Sequence, residues 1–138
     1  MWGVMDGQRT LRLLVVEDEA DTRDAVRQCL ADAWPGATVD TAADGHAGLE
    51  RVASEGYDLI LADYRMPGAR GLEVLAEAAR RQPGTPRILF TAYPDLELVM
   101  RSLHHARVSR FLPKPLTPER LRQEIRTVLE ETGAGQLP

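Results

Sequence analysis

Short apolar segments alternate with longer segments of helical periodicity along this 138-residue chain. The apolar segments contain several β-branched residues and are bounded by charged or turn-forming residues, which is typical of strands buried on both faces of a parallel sheet. The predicted strands cover residues 11–16, 38–42, 59–62, 88–90 and 110–112.

Five amphipathic segments follow these strands, one after each. Their apolar residues recur at helical spacing within residues 25–33, 49–53, 72–79, 96–103 and 121–129. Asp44, Asp95 and Thr117 are predicted N-caps, and Pro118 is the predicted first residue of the last helix, a position where the missing N–H of proline is harmless. Regular alternation of strand and helix predicts an α/β fold with a parallel sheet and helices on both of its faces.

Length and composition indicate a single globular domain over residues 11–131, with a flexible extension at 1–10 and a flexible tail or linker stub at 132–138. The formal net charge of −4 makes direct nucleic-acid binding an unlikely function. No apolar stretch approaches the length of a membrane span. A single cysteine, Cys29, cannot form an internal disulfide, so we expect a cytoplasmic protein.

Polar residues with reactive side chains stand at the ends of four predicted strands. Glu17 and Asp18 follow the first strand, Asp63 follows the third, Thr91 ends the fourth and Lys114 follows the fifth. Each alone has an ordinary structural explanation, such as a helix cap or a solvated loop. Because the carboxyl ends of parallel strands meet at one edge of the sheet, we expect the five side chains to lie together there.

Lysine is used at one position only. Of the 17 basic residues 16 are arginine, and Lys114 is the exception. Lysine carries a compact ammonium on a flexible stem, whereas the guanidinium of arginine is a wide planar fork. A site that contacts a single phosphoryl or carboxylate oxygen in a tight space is one that favours lysine over arginine.

Four motifs resemble the receiver domains of two-component response regulators. They are Val-Val-Glu-Asp-Glu at 15–19, Leu-Ala-Asp-Tyr-Arg-Met-Pro-Gly at 61–68, Phe-Thr-Ala-Tyr at 90–93 and Arg-Phe-Leu-Pro-Lys-Pro at 110–115. The resemblance extends from about residue 11 to residue 130. It implies a flavodoxin-like (βα)5 fold with strand order 2-1-3-4-5, and a phosphoprotein of phosphorelay signal transduction.

By this resemblance Asp63 is the phosphoacceptor, and a histidine kinase or a phosphotransfer protein is the donor. The resemblance also implies a Mg²⁺ ion held by Asp18 and Asp63, by Glu17 through water, and by the backbone carbonyl of Arg65. The charge of the cluster agrees with a metal, because three neighbouring carboxylates repel one another and Mg²⁺ prefers oxygen ligands.

The resemblance assigns roles to residues around the phosphoacceptor as well. Lys114 and Thr91 would contact the phosphoryl oxygens, and Thr91 with Phe111 would form the switch, Phe111 moving inward on activation. Arg65 and Tyr93 lie two residues after Asp63 and Thr91 and depart from the best-known family pattern. Our hypothesis is that they set the lifetime of the phosphorylated form.

Two alternatives remain open. An aspartyl phosphatase of the kind that uses an Asp-x-Asp motif would need an acid at position 65, which is arginine here. A degenerate receiver that never takes phosphate would not need the full set of acids, hydroxyl and lysine. We therefore expect that the chain is not an enzyme, except that it catalyses its own phosphorylation and dephosphorylation.

The sequence does not indicate which protein or domain receives the signal. About eight residues follow the last predicted helix, so the partner is either a separate downstream protein or an output domain missing from this chain. We expect the signal to appear on the predicted fourth helix, fifth strand and fifth helix. A homodimer through that surface stays open.

Overall fold

The computed structural model describes residues 10–64, 71–92, 101 and 104–133. Within these ranges the chain forms five strands and four helices. They are β1 (Arg12–Val16), α1 (Ala20–Ala33), β2 (Thr38–Ala42), α2 (Gly45–Ser54), β3 (Leu59–Asp63), α3 (Gly71–Arg81), β4 (Arg87–Thr91), β5 (Arg110–Pro113) and α4 (Pro118–Thr132). The last of these, α4, is the predicted fifth helix. Asp95 and nearly all of the predicted fourth helix lie outside the described residues, as do most of the predicted N-terminal extension and tail.

The five strands are all parallel and lie in the order β2-β1-β3-β4-β5. This confirms the predicted order 2-1-3-4-5 and the α/β class. Because β1 lies between β2 and β3, the order of the strands reverses direction at β1, and the carboxyl end of β1 stands at the topological switch point.

Alternate residues of each strand face opposite sides of the sheet. Leu14, Ile60 and Leu89 belong to a core that includes apolar residues of α2 and α3. Their neighbours Leu13 and Leu61 belong to a second core, which includes apolar residues of α1 and α4. The sheet is therefore covered on both faces, and its central strands are buried along their whole length.

The register of the strands aligns their carboxyl ends. Val16 of β1 pairs with Ala62 of β3, so the residues that follow, Glu17 and Asp63, lie at the same level. Likewise Thr91 of β4 pairs with Pro113 of β5, which directly precedes Lys114. The predicted convergence thus follows from the register itself.

Side-chain caps begin the helices. Asp44 accepts a hydrogen bond from the Ala47 N–H at 2.8 Å, and Thr117 accepts one from the Arg120 N–H at 3.1 Å, with Pro118 following as predicted. The cap of α1 was not predicted: Glu19 accepts from the Thr22 N–H at 2.7 Å. None of the helices in the described ranges is both long enough and apolar enough to span a membrane.

Candidate functional site

Three carboxylates converge at the carboxyl edge of the sheet. One carboxylate oxygen from each of Glu17, Asp18 and Asp63 lies within 4.8 Å of the other two. Glu17 and Asp63 are buried, whereas Asp18 is exposed. The cluster is therefore open to solvent on the Asp18 side and enclosed behind it.

Lys114 lies against the buried side of this cluster. Its Nζ is 2.7 Å from Oε1 of Glu17 and 3.5 Å from Oδ1 of Asp63. The ammonium also lies 5.0 Å from the centroid of the Phe90 ring, within the range of a cation–π contact. The Lys114 N–H donates to the Thr91 carbonyl at 2.8 Å, which joins the end of β5 to the end of β4, and the peptide to Pro115 is cis.

Glu17 is the most deeply enclosed of the three acids. Burial raises the pKa of its carboxyl above the ordinary value, although hydrogen bonds from the Lys114 ammonium and the Glu19 N–H act in the opposite direction. The carbonyl oxygen of Glu17 accepts a hydrogen bond from Arg23 at 3.0 Å. Main chain and side chain of Glu17 are therefore both fixed by neighbouring groups.

Thr91 and Phe111 occupy adjacent strands beside the acids. Thr91 is buried at the carboxyl end of β4, next to β3, which ends in Asp63. Phe111 on β5 is half-buried and packs against the core shared with α2 and α3. The structure thus places the two predicted switch residues on neighbouring strands, with Thr91 at the end that carries the acids.

Arg65 and Tyr93, predicted to supply a metal-binding carbonyl and to set the lifetime of the phosphorylated form, lie outside the described residues. Their described neighbour Tyr64 follows Asp63 directly and is half-buried. Its hydroxyl accepts a hydrogen bond of 3.3 Å from the exposed guanidinium of Arg101.

Gly71 is a residue of the site that sequence reasoning missed. A Cβ at this position would stand 1.8 Å from the carbonyl oxygen of Asp63 and 2.7 Å from its carbonyl carbon. No side chain fits at such a distance from rigid backbone, so only glycine lets α3 start against β3. A glycine at this position can be seen in the sequence, but the reason that glycine is required is the contact with the Asp63 carbonyl, which only the fold creates.

The donor set suits a divalent cation. Carboxylate oxygens are the ligands that Mg²⁺ prefers, and a partly exposed cluster leaves room for the water molecules it retains. The same place carries a fixed ammonium, so it can also receive an anionic group such as a phosphoryl. The arrangement therefore places carboxylates, which can bind a cation or act as oxygen nucleophiles, beside a fixed positive charge.

Comparison with known proteins agrees with this chemistry. The family model described as "Response regulator receiver domain" matches residues 13–126. The hydrogenase transcriptional regulatory protein HoxA of Cupriavidus necator is 34% identical over 128 residues, which cover 93% of this chain and 26% of that protein. The chain therefore matches about a quarter of the length of this relative.

Solved structures are similar over nearly the whole chain. A response regulator receiver domain protein (CheY-like) from Methanospirillum hungatei superposes with a TM-score of 0.83 at 31% identity, covering 90% of this chain and 97% of the other. The signal receiver domain of an HD domain-containing protein from Pseudomonas fluorescens gives 0.82 at 28% identity, covering 91% and 99%.

Proposed function

Because this chain belongs to the response regulator receiver domain family, we propose that Asp63 is its phosphoacceptor. The observation that supports this most directly is the position of Asp63: its buried carboxylate lies among two further acids and 3.5 Å from the Lys114 ammonium. A carboxylate can act as a nucleophile and form an acyl phosphate. The phosphoryl donor is a histidine kinase or a phosphotransfer protein.

Glu17, Asp18 and Asp63 would hold a Mg²⁺ ion, together with the backbone carbonyl of Arg65. When bound, the ion offsets the negative charge of the carboxylates and of the incoming phosphoryl oxygens. We assign Asp18 and Asp63 as direct ligands and Glu17 as a ligand through water, since Glu17 is already engaged by Lys114.

The transfer itself is an exchange of one bond for another. An Asp63 carboxylate oxygen attacks phosphorus while the bond from phosphorus to the donor histidine nitrogen breaks, and that nitrogen keeps the electron pair. Lys114 stabilises the negative charge on the phosphoryl oxygens, and the Thr91 hydroxyl donates to another of them. Phosphoryl transfer depends mainly on such positioning and charge stabilisation.

The switch follows from the new contacts of the phosphoryl group. It adds about −1.5 to −2 charges and strong hydrogen-bond acceptors beside Thr91. We propose that Thr91 is drawn toward it and that Phe111 moves into the space this leaves. The half-buried position of Phe111 supports this, because the side chain still has exposed surface to lose.

Arg65 and Tyr93 stay candidates for setting the lifetime of the phosphorylated form. Arg65→Ala and Tyr93→Ala should each change the rate of dephosphorylation, measured by the decay of the phosphoryl adduct. Unchanged decay in both variants would remove this hypothesis.

We place the domain in the cytoplasm, consistent with the free thiol of the buried Cys29. Its partners are the donor on one side and a downstream protein or an attached output domain on the other. The relative HoxA is named as a transcriptional regulator and is longer than this chain, which favours an output domain. A homodimer formed through the surface that contains β5 and α4 would be another way for the domain to transmit the signal.

Incubation with Mg²⁺ and acetyl phosphate, followed by intact-mass measurement, tests this proposal. We expect one added phosphoryl group, lost in Asp63→Asn and retained in Asp24→Asn, a matched change at an exposed acid of α1. Continuous release of phosphate without an adduct would instead indicate a phosphatase. No adduct and no turnover would indicate a degenerate receiver.

A further inference from the structure

Arg87 is a buried charge that the proposed phosphoryl chemistry does not use. Arg87 is the first residue of β4, whose next three residues are apolar and whose last residue is Thr91. The side chain of Arg87 lies in the interior, since the residue is only 5% exposed. Burial lowers the pKa of its guanidinium below the ordinary value, with a further contribution from the charge of Arg107. A buried guanidinium needs several well-placed acceptors to offset its desolvation.

The acceptors are main-chain carbonyl oxygens from two separate stretches of chain. Nη1 donates to Thr85 at 2.6 Å, in the turn before β4, with longer contacts of 3.4 Å to Pro83 and 3.5 Å to Gln82. Nε donates to Ala106 at 2.8 Å, and Nη2 to Arg107 at 3.1 Å, both shortly before β5. Among the described residues no carboxylate lies within ion-pair distance of this guanidinium.

The second stretch has a backbone conformation that needs such support. Arg107 has a φ of 48°, in the left-handed region that residues other than glycine seldom adopt. Its carbonyl is one of those held by Arg87. Two further hydrogen bonds join Arg87 to the residue before β5: the Ser109 N–H donates to the Arg87 carbonyl at 2.7 Å, and the Arg87 N–H to the Ser109 hydroxyl at 3.2 Å.

The described residues earlier in the β4–β5 connection are much more exposed. Arg101 is exposed, and its hydrogen bond to the Tyr64 hydroxyl is a contact of 3.3 Å between two side chains. His104 and His105 are exposed as well. Such contacts exchange readily with water, whereas the buried contacts of Arg87 do not.

From this contrast we infer that Arg87 is a positioning residue that fixes residues 106–109 as the stationary end of the β4–β5 connection. A change at Asp63 then displaces Arg101, His104 and His105 relative to that end, while residues 106–109 keep their positions. This inference builds on the proposed function by naming the side chain that anchors the responding segment. It concerns a residue that makes no contact with the phosphoryl group.

Hydrogen exchange of the wild-type chain tests the stationary end. With Mg²⁺ and beryllium trifluoride, an analogue of the phosphoryl group, we expect altered exchange at the amides of His104 and His105. Exchange at Val108 and Ser109 should stay the same. Equal changes at all four amides would contradict a fixed end.

Arg87→Lys and Arg87→Met test the anchor. Either variant loses donors to Ala106 and Arg107, so exchange at residues 106–109 should rise by about tenfold or more. The rate of phosphorylation by acetyl phosphate should remain close to wild type, because the acids and Lys114 are untouched. Arg110→Met is the matched control, since the exposed contact of Arg110 with Glu131 should not affect these amides.

A second substitution separates anchoring from general destabilisation. Glycine adopts positive φ without strain, so Arg107→Gly in the Arg87→Lys background should restore part of the protection at Val108 and Ser109. Wild-type exchange in both Arg87 variants would overturn the inference. Failure of the wild type to take a phosphoryl group would overturn the proposed function instead, while the exchange of the Arg87 variants would still decide whether the anchor exists.

Discussion

The Nζ atom of Lys114 lies 2.7 Å from Oε1 of Glu17, a residue 97 positions earlier in the chain. The distance from the same nitrogen to Asp63 is longer, 3.5 Å. Lys114 therefore neutralises the buried Glu17 first, while remaining close enough to Asp63 to meet a group attached there. By the proposed function, the same ammonium would stabilise both the buried Glu17 and the charge of a phosphoryl group on Asp63.

Lys114→Met should destabilise the protein. The side chain of Glu17 is only 3% exposed, and loss of its cationic partner leaves a buried carboxylate without a counter-charge. We expect the free energy of unfolding to fall by about 3 kcal/mol, measured by urea denaturation in the absence of divalent cations.

The control for this variant is Arg110→Met. Arg110 also contacts a glutamate at 2.7 Å, but Glu131 is 59% exposed, so the loss should stay below about 1 kcal/mol. Equal losses in the two variants would contradict the role given to burial.

Gly71→Ala should disturb the phosphoacceptor. The added Cβ would stand 1.8 Å from the Asp63 carbonyl oxygen, so β3 and α3 would have to separate. We expect destabilisation by about 2 kcal/mol or more and slower phosphorylation by acetyl phosphate. Gly56→Ala, where a Cβ meets nothing within 4 Å, should leave both quantities nearly unchanged.

Mg²⁺ should stabilise the folded chain. At a concentration ten times its dissociation constant, we expect about 1.4 kcal/mol of added stability, measured as a shift of the urea midpoint. Asp18→Asn should require a higher Mg²⁺ concentration for the same shift, because one carboxylate is lost. Asp24→Asn should behave as wild type, and an identical Mg²⁺ response in both variants would argue against Asp18 as a ligand.

Stability should decrease at alkaline pH because of Tyr57. Burial and the hydrogen bond of 2.8 Å to Asp40 raise the pKa of its hydroxyl well above the ordinary value. Below about pH 10 the hydroxyl is neutral in both the folded and the unfolded chain, so this group does not make the free energy of unfolding depend on pH. Above it the unfolded chain loses the proton first, and stability falls by up to about 1.4 kcal/mol per pH unit.

The comparison with Tyr57→Phe isolates this contribution. The variant lacks the hydrogen bond to Asp40 and should be less stable at neutral pH, but its stability should fall less steeply above pH 10. Parallel pH profiles for the two proteins, from urea denaturation at each pH, would show that Tyr57 ionises normally in the fold.

The sequence determined the strands, the described helices and the edge of the sheet at which the three acids and Lys114 meet. Apolar runs and helical stripes depend on local spacing, and so do the caps Asp44 and Thr117. Once the sheet is known to be parallel, residues at strand ends must meet at one edge, which brought Glu17, Asp63 and Lys114 into the predicted site. The local pattern of residues, together with the rule that parallel strands end at the same edge, was sufficient to predict these features.

Only the tertiary structure decided which groups touch. The closest partner of Lys114 is Glu17, the glycine at 71 is required by the carbonyl of Asp63, and the charge of Arg87 is buried among carbonyls of two separate stretches of chain. Each contact joins residues that are far apart along the chain or set by exact backbone placement. Spacing along a sequence carries no information on such distances, because they arise from the packing of whole elements against one another.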